Sequence, residues 1–539
     1  MLWEKESNGS YSPILGKGDK HLHASMKDLN FGPNQNKNQS SRVKQKSNAR
    51  AKKFRFDGNE KVKTEDWHEA MYLYNKCLCN AEPYSENISL AYANRALCFL
   101  KLNMYKKCLI DINSAIQANY PDRLMSKLMT RRAFCLNKIK EEEQIESKEV
   151  KLDFPEDKLF PGMANVLKIE CNPEFGRHVV ATCDIDVGKV VLAEEAFVST
   201  AVMSADKMLC SKCFKGEMNF VACNHCNISM FCNEDCYQRD YFHETCCGKA
   251  IDKVDHFTTF VVRTLVFALD TFRTIDALTK FVESVIIDEE KDAPSLMADD
   301  VSKYRAFLQC GIWLSDEEKK KLHDTSNQVY SELMSIEEIK EKVHSNEEER
   351  FLQHLLLYHL YIVKCNSFQN KMTGGMFLIQ KLFNHSCAPN LLQYFDANKT
   401  ICFASRKIKK GEQLFVTYGM ADFWSQPAYL RQDILYSVYG FRCKCIKCSS
   451  QWPISSEYIK ADPEYIDLGY EMKHYEFDDA EVCDILKEKC LALLRRYDEI
   501  TWNIELDDIC NFFVKLLNQP YKESSKESSK ESGKESGKN

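Results

Sequence analysis

The sequence predicts a multidomain α+β chain. Three observations predict it. A helical pattern between 54 and 140 returns after 38 residues, short β-type runs at 163–200 come back at 391–417 beyond a long helical stretch, and cysteines crowd into 210–247. At the usual ~150 residues per domain, 539 residues make three or four domains. The chain is 44% apolar and 28% charged, which is enough to bury sizeable cores and excludes a wholly disordered protein. Lys plus Arg total 73 and Asp plus Glu 79, a net charge of -6, which argues against a globally basic nucleic-acid binder. The first residues, MLWEKESNGS, lack the apolar core of a signal peptide. The most apolar long stretch, Phe257 to Phe272, is broken by Arg263 and Asp270, so no membrane span is expected. Without a secretory signal, the 25 cysteines are expected as buried small hydrophobes or metal ligands, not as disulfides.

Residues 1–50 are polar and aperiodic, and read as a disordered arm. Its basic end, SRVKQKSNARAKKFR (41–55), is a solvated arm or a nuclear localisation signal. In the helical stretch, Gly58 and Ala70 are answered 38 residues later by Ala96 and Cys108, and Pro83 by Pro121. Small residues at fixed offsets let paired helices approach closely, and stacked units bury each other's open faces. These offsets resemble tetratricopeptide repeats with a four-residue insertion per unit, followed by a third partial unit, SKLMTRRAFCLNKIK. The charged stretch 141–158 reads as a linker or polar helix end. The β-type runs VLKIEC, HVVATCDI and VVLAEEAFV follow, separated by turn signals at Asn172-Pro173 and Asp186-Val187-Gly188. Helices are expected over about 255–365, strands at LLQYF, TICFAS and EQLFVTY, and helices again over 455–519. The tail, KESSKESSKESGKESGK, is too polar to pack.

The cysteine cluster reads Cys210-x2-Cys213, Cys223-x2-Cys226, Cys232-x3-Cys236 and His243-x3-Cys247. Seven thiols and one imidazole match the eight ligands of two tetrahedral zinc ions. A segment this short cannot build its own core, so metal binding would supply most of its folding energy. The order resembles the MYND zinc finger, whose interleaved sites imply one ion on Cys210, Cys213, Cys232 and Cys236 and the other on Cys223, Cys226, His243 and Cys247. Cys246 is an adjacent substitute, but the spacing favours Cys247. Three basic residues (Lys212, Lys215, Arg239) face five acidic ones (Glu217, Glu234, Asp235, Asp240, Glu244), a net of -2 that opposes direct DNA binding.

Three further pieces are Phe175-Gly176-Arg177-His178, Asn384-His385-Ser386-Cys387-Ala388-Pro389-Asn390, and Lys410 to Gly419 ending in Val416-Thr417-Tyr418-Gly419. A fourth is Phe441-Arg442-Cys443-Lys444-Cys445-Ile446-Lys447-Cys448. Each alone has a plain structural explanation. Together, in this order and around the finger, they resemble the SET-and-MYND family of lysine methyltransferases over roughly 163–450, in the branch with N-terminal tetratricopeptide repeats. The resemblance implies S-adenosylmethionine as methyl donor and protein lysines as acceptors. It implies donor contacts at Phe175, Gly176, Arg177, Asn384, His385, Tyr418 and Phe441, and at Asn366 of a Cys-Asn-Ser-Phe segment. It places Tyr418 at the active site, orienting the amine, and a third zinc on Cys387, Cys443, Cys445 and Cys448. It also implies that the NHSC segment threads past the C-terminal loop.

The expected order is a polar arm (1–50), helical repeats (54–140), the SET N-terminal part (163–209), the finger (210–247) and a helical insertion (248–365). The SET C-terminal core (366–420), a post-SET zinc segment (421–450), helices (455–519) and the tail (521–539) complete it. Two departures from the family stand out: Lys381 replaces a small serine, and His178 replaces a glycine. The 455–519 helices are also short for covering a peptide groove. The expected function is methylation of histone or non-histone lysines by a cytoplasmic and nuclear monomer that meets partners through repeats and finger. The alternative is a scaffold that keeps the fold and recruits partners such as transcriptional repressor complexes.

Overall fold

The structure, a computed structural model, describes residues 45–141, 150–173, 175–201, 209–216, 219–249, 256–287, 299–369, 373–419, 426–449, 454–475, 480–500 and 502–517. It also describes an N-terminal ribbon, β1 (Glu4–Lys5) antiparallel to β2 (Tyr11–Ser12), inside the stretch expected to be disordered. Most of that arm, and the 521–539 tail, lie outside the described residues.

Five helices open the chain: α1 (Asn48–Lys63), α2 (Trp67–Asn80), α3 (Glu86–Lys101), α4 (Tyr105–Gln117) and α5 (Asp122–Glu141). Ser47, Asp66 and Ser85 cap the first three, each side chain accepting a backbone N–H of the first turn. The 38-residue period is visible in the backbone. Glu65 and Asn103 sit in equivalent turns at φ 58° and 59°. One residue on, the amides of Asp66 and Met104 donate to Lys61 O and Phe99 O. A Cβ at Gly58 would come within 2.7 Å of the Tyr74 ring, which is why the close approach of α1 and α2 takes a glycine there. The helices begin at Asn48 and not near 54, so the basic stretch ends inside α1. Apolar spacing gave no sign of this; the Ser47 cap and the buried Ala51 place it.

The finger (β7 Val221–Ala222, β8 Met230–Phe231, α6 Glu234–Gln238, α7 Tyr241–Cys246) docks on these helices. Phe220, Met230 and Phe231 share one apolar core with Ala91, Tyr92 and Ile112. An ion pair lies within that interface. Arg95, fully buried, makes two 2.7 Å bonds to the Asp111 carboxylate and donates to Asn75 Oδ1 at 2.6 Å and to Phe220 O at 3.1 Å. Asn219 of the finger donates to the same Asp111 at 2.7 Å and to Lys107 O at 2.8 Å. Arg95→Ala leaves Asp111 buried and unpaired, and is expected to cost about 3–5 kcal/mol in denaturant unfolding; the double change Arg95→Met, Asp111→Leu should recover much of it. A cost below 1 kcal/mol for the single change would show that the network does not hold finger to helices.

Residues 150–158 lie against the core surface, contrary to the linker expectation; 142–149 lie outside the described residues. Asp153 accepts the Val190 amide at 2.7 Å, and Leu152 and Phe154 pack on the main apolar cluster. The β-rich part is split but knits into one unit. β3 (Leu167–Asn172) and β4 (Gly176–Ala181) form a hairpin. β5 (Val190–Glu195) pairs with β13 (Lys399–Ala404), which pairs with β12 (Leu391–Asp396). β6 (Val198–Ala201) pairs with β10 (Thr373–Met376), and β10 with β9 (Phe368–Gln369). β11 (Asn384–His385) runs parallel to β14 (Phe415–Val416), all that remains regular of the EQLFVTY run.

Between the halves lie α8 (His256–Phe272), α9 (Ile275–Ile287), α10 (Asp300–Leu308), α11 (Asp316–Leu333), α12 (Glu337–Lys340) and α13 (Asn346–Asn366). Helix α13 is buried almost all round, and with α8 it forms the centre of the main core. After α14 (Ala428–Tyr439) come α15 (Glu457–Lys460), α16 (Pro463–His474), α17 (Ala480–Arg496) and α18 (Ile504–Leu517). Their apolar faces cover Leu392, Tyr394, Ile401 and Phe403 on the outer side of the β5–β13–β12 sheet. No described helix is long and apolar enough to cross a membrane.

Candidate active site and metal centres

The site forms where two distant threads cross. Asn390, fully buried, accepts the Phe415 amide at 2.7 Å and donates to Gln413 O at 2.9 Å, while Ser386 N donates to Val416 O at 3.0 Å. These bonds seat the NHSCAPN segment beside β14. Asn384 Nδ2 then donates to Phe175 O at 3.1 Å and to Gln413 Oε1 at 3.0 Å, bringing in the turn before β4. Gly176 adopts φ +61° there, and a Cβ on it would meet nothing within 4 Å, so the turn borders open space. His178 is buried, with Nδ1 2.9 Å from Gly176 O, so it braces the turn from behind.

The wall opposite comes from the segment after α10. Arg177 donates to Gln309 O at 3.1 Å, and Asn366 donates to Gly311 O at 2.8 Å. Trp313 accepts the Cys365 thiol at its carbonyl and covers Gly440, where any Cβ would collide with the indole. Gly440 also ends α14 in the left-handed conformation, φ 75°.

Aromatic rings close the corner. Tyr418 lies 5.3 Å from His385, 5.0 Å from Tyr439 and 6.3 Å from Phe441, and Phe441 is 5.9 Å from His385. The Tyr418 hydroxyl donates to Phe383 O at 2.8 Å, and its amide donates to His385 Nδ1 at 3.0 Å. Burial pushes the Tyr418 phenol well above its usual range and the His385 imidazole down to about 4, so both are neutral near pH 7. With Nδ1 accepting, His385 carries its proton on Nε2, 3.2 Å from Cys387 Sγ. All eight residues that the sequence nominated thus line one region. Tyr439, Trp313 and Gln413 join them without having been foreseen. A helix-ending Gly440 between aromatics was a signal for Tyr439; Trp313 and Gln413 gave none.

Lys381, the first departure, does not enter the open space. Its ammonium donates to Ala306 O at 2.7 Å, at the C-terminal end of α10, where helix carbonyls favour a cation. Behind it, the buried Glu194 accepts the Ile379 and Gln380 amides at 2.8 Å each; burial raises its carboxyl to about 7.

Three groups of four ligand atoms are each gathered within 4.8 Å: Cys210, Cys213, Cys232, Cys236; Cys223, Cys226, His243, Cys247; and Cys387, Cys443, Cys445, Cys448. All 25 cysteines are free thiols. Two sulfurs at ~2.3 Å from one tetrahedral zinc stand about 3.8 Å apart. The separations Cys213–Cys232 3.6 Å, Cys223–Cys247 3.8 Å, Cys387–Cys448 3.5 Å and Cys387–Cys443 3.9 Å fall at that spacing. His243 Nε2 is buried with no hydrogen-bond partner, as a ligand nitrogen would be before its ion arrives. Each group can therefore hold a metal ion. Cys246 turns instead into the main apolar core. Around the third group, the Arg431 guanidinium reaches Lys447 O at 2.7 Å and Cys448 Sγ at 3.7 Å, and the buried Lys447 pairs with Asp507 of α18. Cations beside a thiolate cluster offset its charge.

Residues 176–419 match the SET domain family. The protein-lysine N-methyltransferase SMYD4 of Mus musculus is 24% identical over 541 residues, covering 74% of this chain and 66% of that protein. Its Homo sapiens counterpart is 23% identical over 551 residues, with the same coverage. A SET and MYND domain-containing protein of Dictyostelium discoideum is 23% identical over 336 residues, covering 53% of this chain and 82% of its own length. The chain thus spans just under two thirds of the SMYD4 relatives. Among solved structures, the SET domain of LSMT bound to lysine and AdoHcy covers 71% of this chain at 11% identity, with a TM-score of 0.27.

Proposed function

We propose, on the premise that residues 176–419 are a SET domain, that the protein transfers methyl groups from S-adenosylmethionine to lysine ε-amines of histone or non-histone proteins. One observation carries this reading. Two hydrogen bonds, Asn384 to Phe175 O and the Tyr418 amide to His385, bring the Gly176 turn, the NHSCAPN segment and a half-buried phenol to one corner. The donor supplies an electrophilic methyl group on a sulfonium. The open space beside Gly176 fits such a ligand, because backbone without a Cβ lets it approach closely.

The chain's own groups do the rest. Phe175, Gly176, Arg177, Asn366, Asn384, His385 and Phe441 form the donor's bed. Tyr418, Tyr439 and Phe441 strip water from the incoming amine, which raises its nucleophilicity. The Tyr418 hydrogen is committed to Phe383 O, so its oxygen faces the substrate as an acceptor and aligns a neutral amine N–H. A phenol raised by burial is no base at neutral pH, so the ammonium's proton leaves to solvent.

In the same reading the N-terminal helices are tetratricopeptide repeats and 210–247 is a MYND finger with two zinc ions. A third zinc on Cys387, Cys443, Cys445 and Cys448 pins the post-SET segment to the pocket. Partners meet the repeats on faces that the finger leaves free, and the chain works as a monomer in cytoplasm and nucleus.

The test uses the zinc-loaded full chain with labelled S-adenosylmethionine and a protein extract. Label should appear on lysine. Tyr418→Phe should slow transfer about 100-fold through lost alignment, with donor affinity within a few fold. Equal transfer by Tyr418→Phe removes the phenol from the mechanism, and no calorimetric heat with the donor leaves the scaffold reading.

A further inference from the structure

We propose that Lys381 and Cys310 are a modification site, joined by a covalent nitrogen–sulfur bond when the protein meets a hydroperoxide. The Lys381 Nζ lies 2.7 Å from Cys310 Sγ. Other nitrogen–sulfur contacts in the structure are longer: 3.3 Å from Trp313 N to Cys365, 3.3 Å from His225 N to Cys223, and 3.7 Å from Arg431 to Cys448. One acceptor gathers both partners, since Ala306 O takes the Lys381 ammonium at 2.7 Å and the Cys310 thiol at 3.6 Å.

Both partners stand on fixed backbone. Lys381 sits in the short 3-10 turn Gln380–Leu382, whose leading amides are held by Glu194. Cys310 follows the last turn of α10, its amide bonded to Phe307 O at 3.0 Å. Cys310 is only 5% exposed, so small oxidants reach it in preference to bulky thiols, and the Lys381 amine stands in contact with its sulfur. Preorganised neighbours of this kind react as if at very high concentration.

The chemistry balances with one peroxide. The Cys310 thiolate attacks a peroxide oxygen; the S–O bond forms, the O–O bond breaks, and water leaves after protonation. Lys381, having given one proton to solvent, attacks the sulfenic sulfur; the S–N bond forms, the S–O bond breaks, and a second water leaves. Sulfur is oxidised and the peroxide reduced. A thiol reductant reverses the bond.

The bond would tie the turn just upstream of Asn384 to the segment whose carbonyls hold Arg177 and Asn366. If the pocket is the one proposed above, oxidation freezes its wall; this consequence rests on that reading, and the bond itself does not.

The experiment treats the zinc-loaded full chain with graded hydrogen peroxide, digests it without reductant and weighs the peptides. The expected result is a linked pair carrying residues 310 and 381, lighter by two hydrogens than its two peptides, at doses that release no zinc. Thiol reductant should split it, and Cys310→Ser and Lys381→Met should each abolish it. A Cys310–Cys365 disulfide, a sulfinic or sulfonic acid at Cys310 without a linked pair, or an unmodified Cys310 overturns the proposal. The readout is mass alone, so absence of methyl transfer leaves it intact.

Discussion

Stripping metal from the protein is expected to unfold residues 210–249 and to loosen the N-terminal helices with them. The finger has no core of its own: it shares one apolar surface with α1 to α5, packs Phe242 and Cys246 of its last helix into the main core, and gathers its eight ligand atoms in two tight groups. Structural zinc contributes apparent folding free energies of about 10–16 kcal/mol per site in isolated fingers. Without it the mutual repulsion and desolvation of the thiolates remain. The loss should spread, because Phe220 O and Asn219 complete the buried Arg95–Asp111 network. Elemental analysis should find three zinc ions per chain, falling by one in Cys232→Ala and by one in Cys445→Ala. After chelation, hydrogen exchange should rise across both 210–249 and 67–117. Cys445→Ala should instead spare the finger and abolish donor binding, since Cys387 ties the third group to His385. Unchanged exchange in 67–117 after full zinc loss would mean that helices and finger are energetically independent.

Gly176→Val should abolish donor binding while leaving most of the fold intact. At φ +61° a non-glycine residue costs about 1–2 kcal/mol, and a β-branched one stands at the upper end. That is tolerable beside a large core. Because nothing stands within 4 Å of the added Cβ, that atom displaces no protein group. The branched side chain would instead fill the space assigned to the donor. A drop in affinity of at least about 100-fold, near 2.7 kcal/mol, is expected by titration calorimetry, with Gly176→Ala intermediate. A Val variant that binds the donor as wild type does would place it elsewhere.

Much of the site was legible because its parts are short and chemically marked. Cysteines two or three residues apart can share an ion wherever they stand, so each close pair needed no knowledge of the surrounding fold; which pairs share an ion, and that Cys387 joins the last group, came from the family resemblance. The 38-residue echo of Gly58 and Ala70 was legible for the same reason, since packing between successive helices is local. The boundaries were less legible. Residues 45–53 carry no apolar period, yet Ser47 caps α1 and Ala51 is buried by helices that follow. The charged 150–158 stretch looks like a linker because its binding partners, Val190 and the main core, come later in the chain.

The sequence by itself determined which residues are paired closely enough to hold metal, a matter of residue type and near spacing; the nomination of Tyr418 came from the family resemblance. Tertiary structure alone decided what surrounds them. Asn384 meets Phe175 across 209 positions and Arg177 meets Gln309 across 132, separations at which no pattern along the chain reports a contact. It likewise decided that Lys381 turns to the carbonyl end of α10 and Cys310, and that Arg95 is buried against the finger. A long charged side chain goes wherever the fold offers it acceptors, and several of those here, Ala306 O and Phe220 O among them, are backbone carbonyls, which every residue carries alike.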